Sequence, residues 1–219
     1  MNRPMRQFDA DFATDGQKMI DLARAGEITR VAAMSKASVL EQWPNHRLEA
    51  LYELAFLRIF IAWESFLEST FYRYMAGHES VVYGPASVIG SYRGIQAAEN
   101  AVLKFHGSKK KPAPYIAWYQ THTVIKRCKA FIPSGRHHTV FVYNQPWLTD
   151  VAGIRHRIAH GQQHARAQFY AAASSLVGYS YPRCRPGKFL RSPDLSRPVK
   201  TTWLESIFMT LSGLASQIV

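Results

Sequence analysis

The segment from Arg47 to Met75 constrains the fold most. Leu48, Leu51, Ala55, Ile59, Ala62 and Phe66 recur at the three- and four-residue steps of an α-helix, and Leu67, Phe71 and Tyr74 widen that stripe. A helix apolar over so much of its circumference is expected to be buried on more than one side. Pro44 ahead of it and Gly77 behind it are suitable stop signals.

The remaining periodicity is also mostly helical. Phe8, Phe12, Met19 and Leu22 mark a helix from about Phe8 to Ala25, and Arg93 to Phe105 reads as another, closed by Gly107. Tyr115 to Arg127, Gln145 to His160, Gln163 to Val177 and Thr201 to Val219 complete the expected helices. A loop with Pro133, Gly135, Arg136, His137 and His138 leads to Thr139–Tyr143, whose weak alternation suits a short strand or an extended linker. Residues 178–200 contain Pro182, Pro186, Pro193 and Pro198 with arginines between them, which predicts a loop or hairpin rather than a helix. No linker or repeat divides the chain. The expectation is one all-α domain over 1–219, with decorations at 1–45, 108–144 and 178–200.

Hydrophobic residues make up 47% of the 219, enough for a sizeable core. The first twenty residues carry too many charges for a signal peptide, and Arg58 interrupts the most apolar run, Leu54 to Trp63, which is too short to span a bilayer. Cys128 and Cys184 show neither metal-ligand spacing nor a disulfide framework and read as free thiols of a soluble cytoplasmic protein. Charge is distributed unevenly. Residues 1–100 hold 10 Lys/Arg against 12 Asp/Glu, a balance of −2, whereas residues 101–219 hold 17 against 3, a balance of +14. Such asymmetry points to a polyanionic partner, since neutralising phosphates releases counterions; the competing account is a basic protein whose charge serves solubility. Lys109, Lys110 and Lys111 form either a solvated loop or a phosphate contact.

Chemistry concentrates in Ile154-Arg155-His156-Arg157-Ile158-Ala159-His160-Gly161. An arginine offers a phosphate a fixed fork of donors, and a histidine can move a proton near neutral pH. At about 100° per residue, Trp147, Val151, Ile154 and Ile158 form a core stripe, with His156 and His160 on the opposite face and Arg155 and Arg157 on its flanks. The small residues Ala152, Gly153 and Ala159 on the histidine face invite close approach of another backbone, with a second copy of the same helix as the economical candidate. Gly161 offers a helix stop, after which Arg155 and His160 could converge. A histidine beside these arginines is expected to have a lowered pKa.

This motif (arginine, a polar residue, three more residues, then histidine just before glycine) resembles the signature of the HEPN superfamily (higher eukaryotes and prokaryotes nucleotide-binding). The segment Phe60-Ile61-Ala62-Trp63-Glu64-Ser65-Phe66-Leu67-Glu68 resembles the long early helix of these domains, which often carries an acidic residue. The resemblance implies a HEPN-like helical bundle and a metal-independent endoribonuclease that works as a homodimer, two motifs facing each other. Carried over by position, Arg155 would bind the scissile phosphate, His160 would move the proton, His156 would orient the phosphate or assist, and Glu64 would fix Arg155 or a histidine. Arg157 and the lysine run would contact RNA. The products would be 2′,3′-cyclic phosphate and 5′-OH ends, without metal or cofactor. A toxin or anti-phage defence role, restrained by an antitoxin or regulatory protein, is what the resemblance most often implies. Where some small members carry a modified tyrosine two residues after the histidine, this chain has Gln162.

Other readings stand beside this one. His156, His160 and His164 recur at intervals of four and would make a metal site on an unbroken helix, an arrangement that Gly161 opposes. A catalytically silent HEPN-like dimer that binds RNA or a nucleotide is another, and an accidental resemblance a third. His46, His78, His106, His122, His137 and His138 are scattered and default to surface or loop roles.

Overall fold

The computed structural model describes residues 5–33, 36–80, 82–105 and 116–219; His106 and the run Lys109, Lys110 and Lys111 lie outside the described residues. Among the described residues the protein is all-α. Its helices are α1 (Arg6–Val31), α2 (Lys36–Gln42), α3 (Asn45–Met75), α4 (Ile95–Lys104), α5 (Thr121–Phe131), α6 (Arg136–Tyr143), α7 (Gln145–Ala159), α8 (Gln163–Val177), α9 (Pro186–Arg191) and α10 (Trp203–Ile218). Extended pairing among them is limited to two isolated bridges, Ser80 with Gly84 and Pro193 with Thr202. No helix of the described residues is long and apolar enough to cross a membrane. The chain forms two compact units, one of residues 1–12, 63–149 and 212–219, the other of 13–62 and 150–211.

In the first unit the C-terminal part of α3 supplies Trp63, Phe66, Leu67, Phe71 and Tyr74, all buried. Trp63 stacks on Phe66 and on Phe141, while Phe71 meets Trp118 and the edge of His137. The segment Thr139–Tyr143 is helical, not a strand or extended linker. His137, Val140 and Phe141 share one buried face at helical spacing, and their packing overrides the β-preference of Thr139, Val140 and Val142. The preceding helix starts later than the sequence suggests. Residues 116–120 are turns, with Trp118 anchored on Phe71 and Tyr72, so α5 runs from Thr121 to Phe131. Cys128 is buried within it, its thiol pushed up to about 12 by that burial, and both cysteines are free.

His137 departs furthest from the surface role expected of it, since it is fully buried. The Thr70 hydroxyl gives its proton to the Phe66 carbonyl at 2.8 Å, so it must accept from His137 Nε2, also at 2.8 Å. That fixes the neutral tautomer and leaves Nδ1 as the unprotonated buried atom. Burial lowers its pKa from 6.5 to about 3. The unfolded chain therefore takes up this proton first as pH falls, so the stabilising contribution is complete above pH 6.5 and is lost progressively toward pH 3. At roughly 1.4 kcal/mol per unit, about 2 kcal/mol should be lost by pH 5. Urea unfolding at pH 7 and pH 5 checks this: His137→Gln should show the smaller acid loss, and an equal loss would remove His137 as its source.

In the second unit, glycines set the helix approaches. Gly16 of α1 lies against the Phe208 ring and Gly26 against Leu51 and Leu48. The buried face of α1 therefore runs through Gly16, Ile20, Ala23 and Gly26, while Leu22, expected on the core stripe, is exposed. Residues 178–200 contain a helix, α9, begun by Pro186 at its first turn. It is held by Gly187 against the Glu49 backbone, by a 2.9 Å bond from Gly187 N–H to Glu53 Oε1, and by a two-pronged pairing of Arg191 with Glu27. Phe189 packs on Phe169 and stacks on Trp203. At the start of α10, Thr202 and Glu205 form a capping box: the Thr202 N–H donates to Glu205 Oε2 at 2.6 Å, and the Glu205 N–H donates to Thr202 Oγ1 at 3.3 Å. Burial alone would raise the Glu205 carboxyl, but the Thr202 N–H and hydroxyl, both donating to it, and Arg24, at 2.7 Å, hold it below its ordinary value.

Candidate active site

The motif occupies the last turns of α7 and the two residues after it, all in the second unit. Val151 and Ile154 are fully buried, as the helical wheel requires, with Leu148 as the next buried residue; Trp147 and Ile158 are only half-buried. The histidine face is thereby turned away from the core, and His160 is exposed. Gly153 has a partner within its own unit: a Cβ there would sit 3.4 Å from Ala172 Cβ and 3.7 Å from the Gln168 carbonyl of α8. The small residue thus serves the α7–α8 approach, where the sequence suggested a second copy of the helix.

α7 ends at Ala159, and residues 160–162 are non-helical before α8 begins at Gln163. The stop expected at Gly161 is there, in open space. One further helical bond, His160 N–H to His156 O at 3.0 Å, keeps His160 stacked one turn above His156. Their ring centroids are 4.7 Å apart at a tilt of 54°. Arg157 Nη1 donates to the His160 carbonyl at 3.3 Å, so this arginine covers the frayed end of the helix. The structure thus gathers His156, His160 and Arg157 at the tip. Arg155, one residue before His156, is half-buried. Glu64 lies on α3 in the first unit, also half-buried.

The neighbouring charges oppose protonation of His156. His156 is lowered from its ordinary pKa, first by burial and then by electrostatic interaction with His160, Arg155 and His164. Arg155 acts as expected on its neighbour, so His156 is held neutral near pH 7. Asp150, the one acid near in sequence, is raised by burial and bonded to Ser175. Among the described residues no three His, Cys, Asp or Glu side chains gather as metal ligands. A pair of imidazoles beside guanidiniums suits phosphate binding joined to proton movement.

Beyond the motif, the first turns of α8 form a feature that hydrophobic periodicity does not mark. Gln163, Arg166, Ala167 and Tyr170, with Arg183 from the following loop, line a concavity of about 430 Å³. The signal was present as the steps of three and four between these α8 residues, but a polar helical face reads ordinarily as a solvated one. Comparison with protein-family models, curated proteins and solved structures finds no match for this chain.

Proposed function

We propose that this protein is a metal-independent endoribonuclease of the HEPN type, acting as a homodimer through the motif end of α7. The observation that carries the reading is the pairing of His156 and His160, 4.7 Å apart, beside Arg155 and Arg157 at an exposed helix end. In the reaction, the ribose 2′-oxygen attacks the adjacent phosphorus and the bond to the 5′-oxygen breaks. His160 moves the proton, taking it from the 2′-OH or giving it to the leaving oxygen, while neutral His156 assists. Arg155 binds the phosphate and offsets charge developing on its oxygens. No external nucleophile is needed, because the attacking group belongs to the substrate. The balance of +14 over residues 101–219 supports an RNA partner. A toxin or anti-phage defence role, with an antitoxin or regulatory protein as restraint, belongs to the same proposal.

The test is incubation of the full chain with total RNA in excess EDTA, followed by end-group analysis. Fragments with 2′,3′-cyclic phosphate and 5′-OH ends are expected. Cleavage that requires a divalent cation, ends of the opposite type, or no cleavage at all would overturn the reading. The concavity on α8 favours one second reading, a protein that binds RNA or a nucleotide without cutting it.

A further inference from the structure

α8 carries Gln163, Arg166, Ala167 and Tyr170 on one face, and Gln163 lies three residues past His160. The loop that follows α8 brings the Arg183 guanidinium over the Tyr170 ring, 5.9 Å from its centroid. Arg166 and Arg183 are exposed, and neither takes part in any ion pair among the described residues. No acid lines the concavity, whose volume of about 430 Å³ falls within the range of small-ligand sites. An aromatic ring, an amide able both to donate and to accept, and two guanidiniums outside any ion pair are the complement of one nucleotide: a flat base, its polar edge and its phosphates.

We infer that the Gln163–Arg166–Tyr170–Arg183 concavity is a subsite for a nucleotide unit of single-stranded RNA, the base stacked at Tyr170 and the flanking phosphates on Arg166 and Arg183. The identity of the polymer rests on the ribonuclease reading; the recognition chemistry stands on the concavity itself. Ala167 leaves the floor low enough for a base to lie along α8, and Gln163 faces the base edge from the end nearest the motif. A duplex keeps its bases stacked on one another and cannot present one to Tyr170, so the subsite selects unpaired strands.

The experiment is fluorescence anisotropy of the full-length protein with a labelled single-stranded oligoribonucleotide fully 2′-O-methylated, which can bind but cannot be cut. Arg166→Gln and Arg183→Gln should each weaken binding about five- to tenfold, and each should reduce the salt slope by about 0.7, the value for one phosphate on a single strand. Tyr170→Leu should weaken it about fivefold or more with the salt slope unchanged. Lys18→Ala, at an exposed lysine of α1 outside the concavity, should bind within about twofold of the parent protein. Circular dichroism of each variant establishes that the helices stay intact.

Binding unchanged in all three groove variants would overturn the proposal, as would no binding by the parent protein. Duplex binding with the same sensitivity to Tyr170→Leu would do so too. Displacement of the strand by free adenosine monophosphate at the strand's own dissociation constant would replace the strand with a free mononucleotide and overturn it as stated. Cleavage of unmodified RNA separates the two readings. A protein that cuts RNA while its groove variants bind normally refutes the subsite alone. One that never cuts, yet loses binding with Arg166, Tyr170 or Arg183, refutes the nuclease and leaves the subsite standing.

Discussion

Replacing His160 by alanine should lower RNA cleavage at saturating substrate by about a hundred- to ten-thousandfold, the range a positioned proton-transfer group typically supplies. The same change should leave thermal stability nearly untouched. His160 is exposed, lies beyond the last residue of α7, and precedes a glycine in open space. The alanine variant keeps the backbone bond to the His156 carbonyl and loses only the ring contact at 4.7 Å. Surface substitutions of this kind usually change stability by less than about 0.5 kcal/mol. Parallel melting curves and single-turnover cleavage of one defined RNA give both quantities. Undiminished cleavage would remove His160 from the chemistry; a large fall in melting temperature would make any lost activity a folding effect.

Gly187→Ala should have the opposite profile, a heavy loss of stability from one added methyl group. A Cβ at this position would collide with the backbone of Glu49, whose Cα would lie only 2.8 Å away and whose carbonyl would lie closer still. Backbone atoms within the long helix α3 cannot step aside as a side chain can, so α9 would have to lift, breaking the bond from Gly187 N–H to Glu53 and disturbing Arg191 with Glu27. A loss of at least about 3 kcal/mol is expected, the scale of overpacking combined with a broken buried contact. For a chain of this size that corresponds to roughly ten degrees in melting temperature. Intrinsic helix preference pulls the other way, favouring alanine by about 1 kcal/mol, so sterics and propensity give opposite signs. The exposed neighbour Lys188, changed to alanine, serves as the control. A Gly187→Ala protein that melts at or above the parent temperature would mean that α9 is not seated on α3.

Where hydrophobic side chains alone determine burial, the sequence was readable. α3 was legible almost to the residue, because Leu48, Ala55, Ile59, Phe66, Leu67, Phe71 and Tyr74 all face core. α8 was legible at both ends, and Gly178 closes it in the left-handed conformation with φ 78°. In α1 the register was lost, because its closest approaches are made at Gly16 and Gly26, which carry no apolar side chain to be counted. Gly153 shows the related difficulty: its smallness announced a close neighbour, but only the folded chain identifies that neighbour as α8. α9 was hidden by four prolines, of which Pro186 starts a helix rather than preventing one. In the candidate site, the four-residue step from His156 to His160 and the break at Gly161 followed from spacing. The Arg183 contribution to the α8 concavity did not, since it comes from a loop whose path no periodicity encodes.

The division of the chain into compact units has a genetic consequence. One unit is assembled from residues 1–12, 63–149 and 212–219, and the other from 13–62 and 150–211, so the stretches interleave along the polypeptide. No single cut releases either unit intact, and no contiguous fragment encodes one. A terminal deletion removes a piece of a core rather than a module, and residues 212–219 already provide the carbonyls of Ile218 and Val219 that receive Tyr74 and Ser80. For this protein, function is therefore dissected by point substitution, and a reporter or tag is best inserted where the chain turns at the surface, such as the exposed stretch around Leu195.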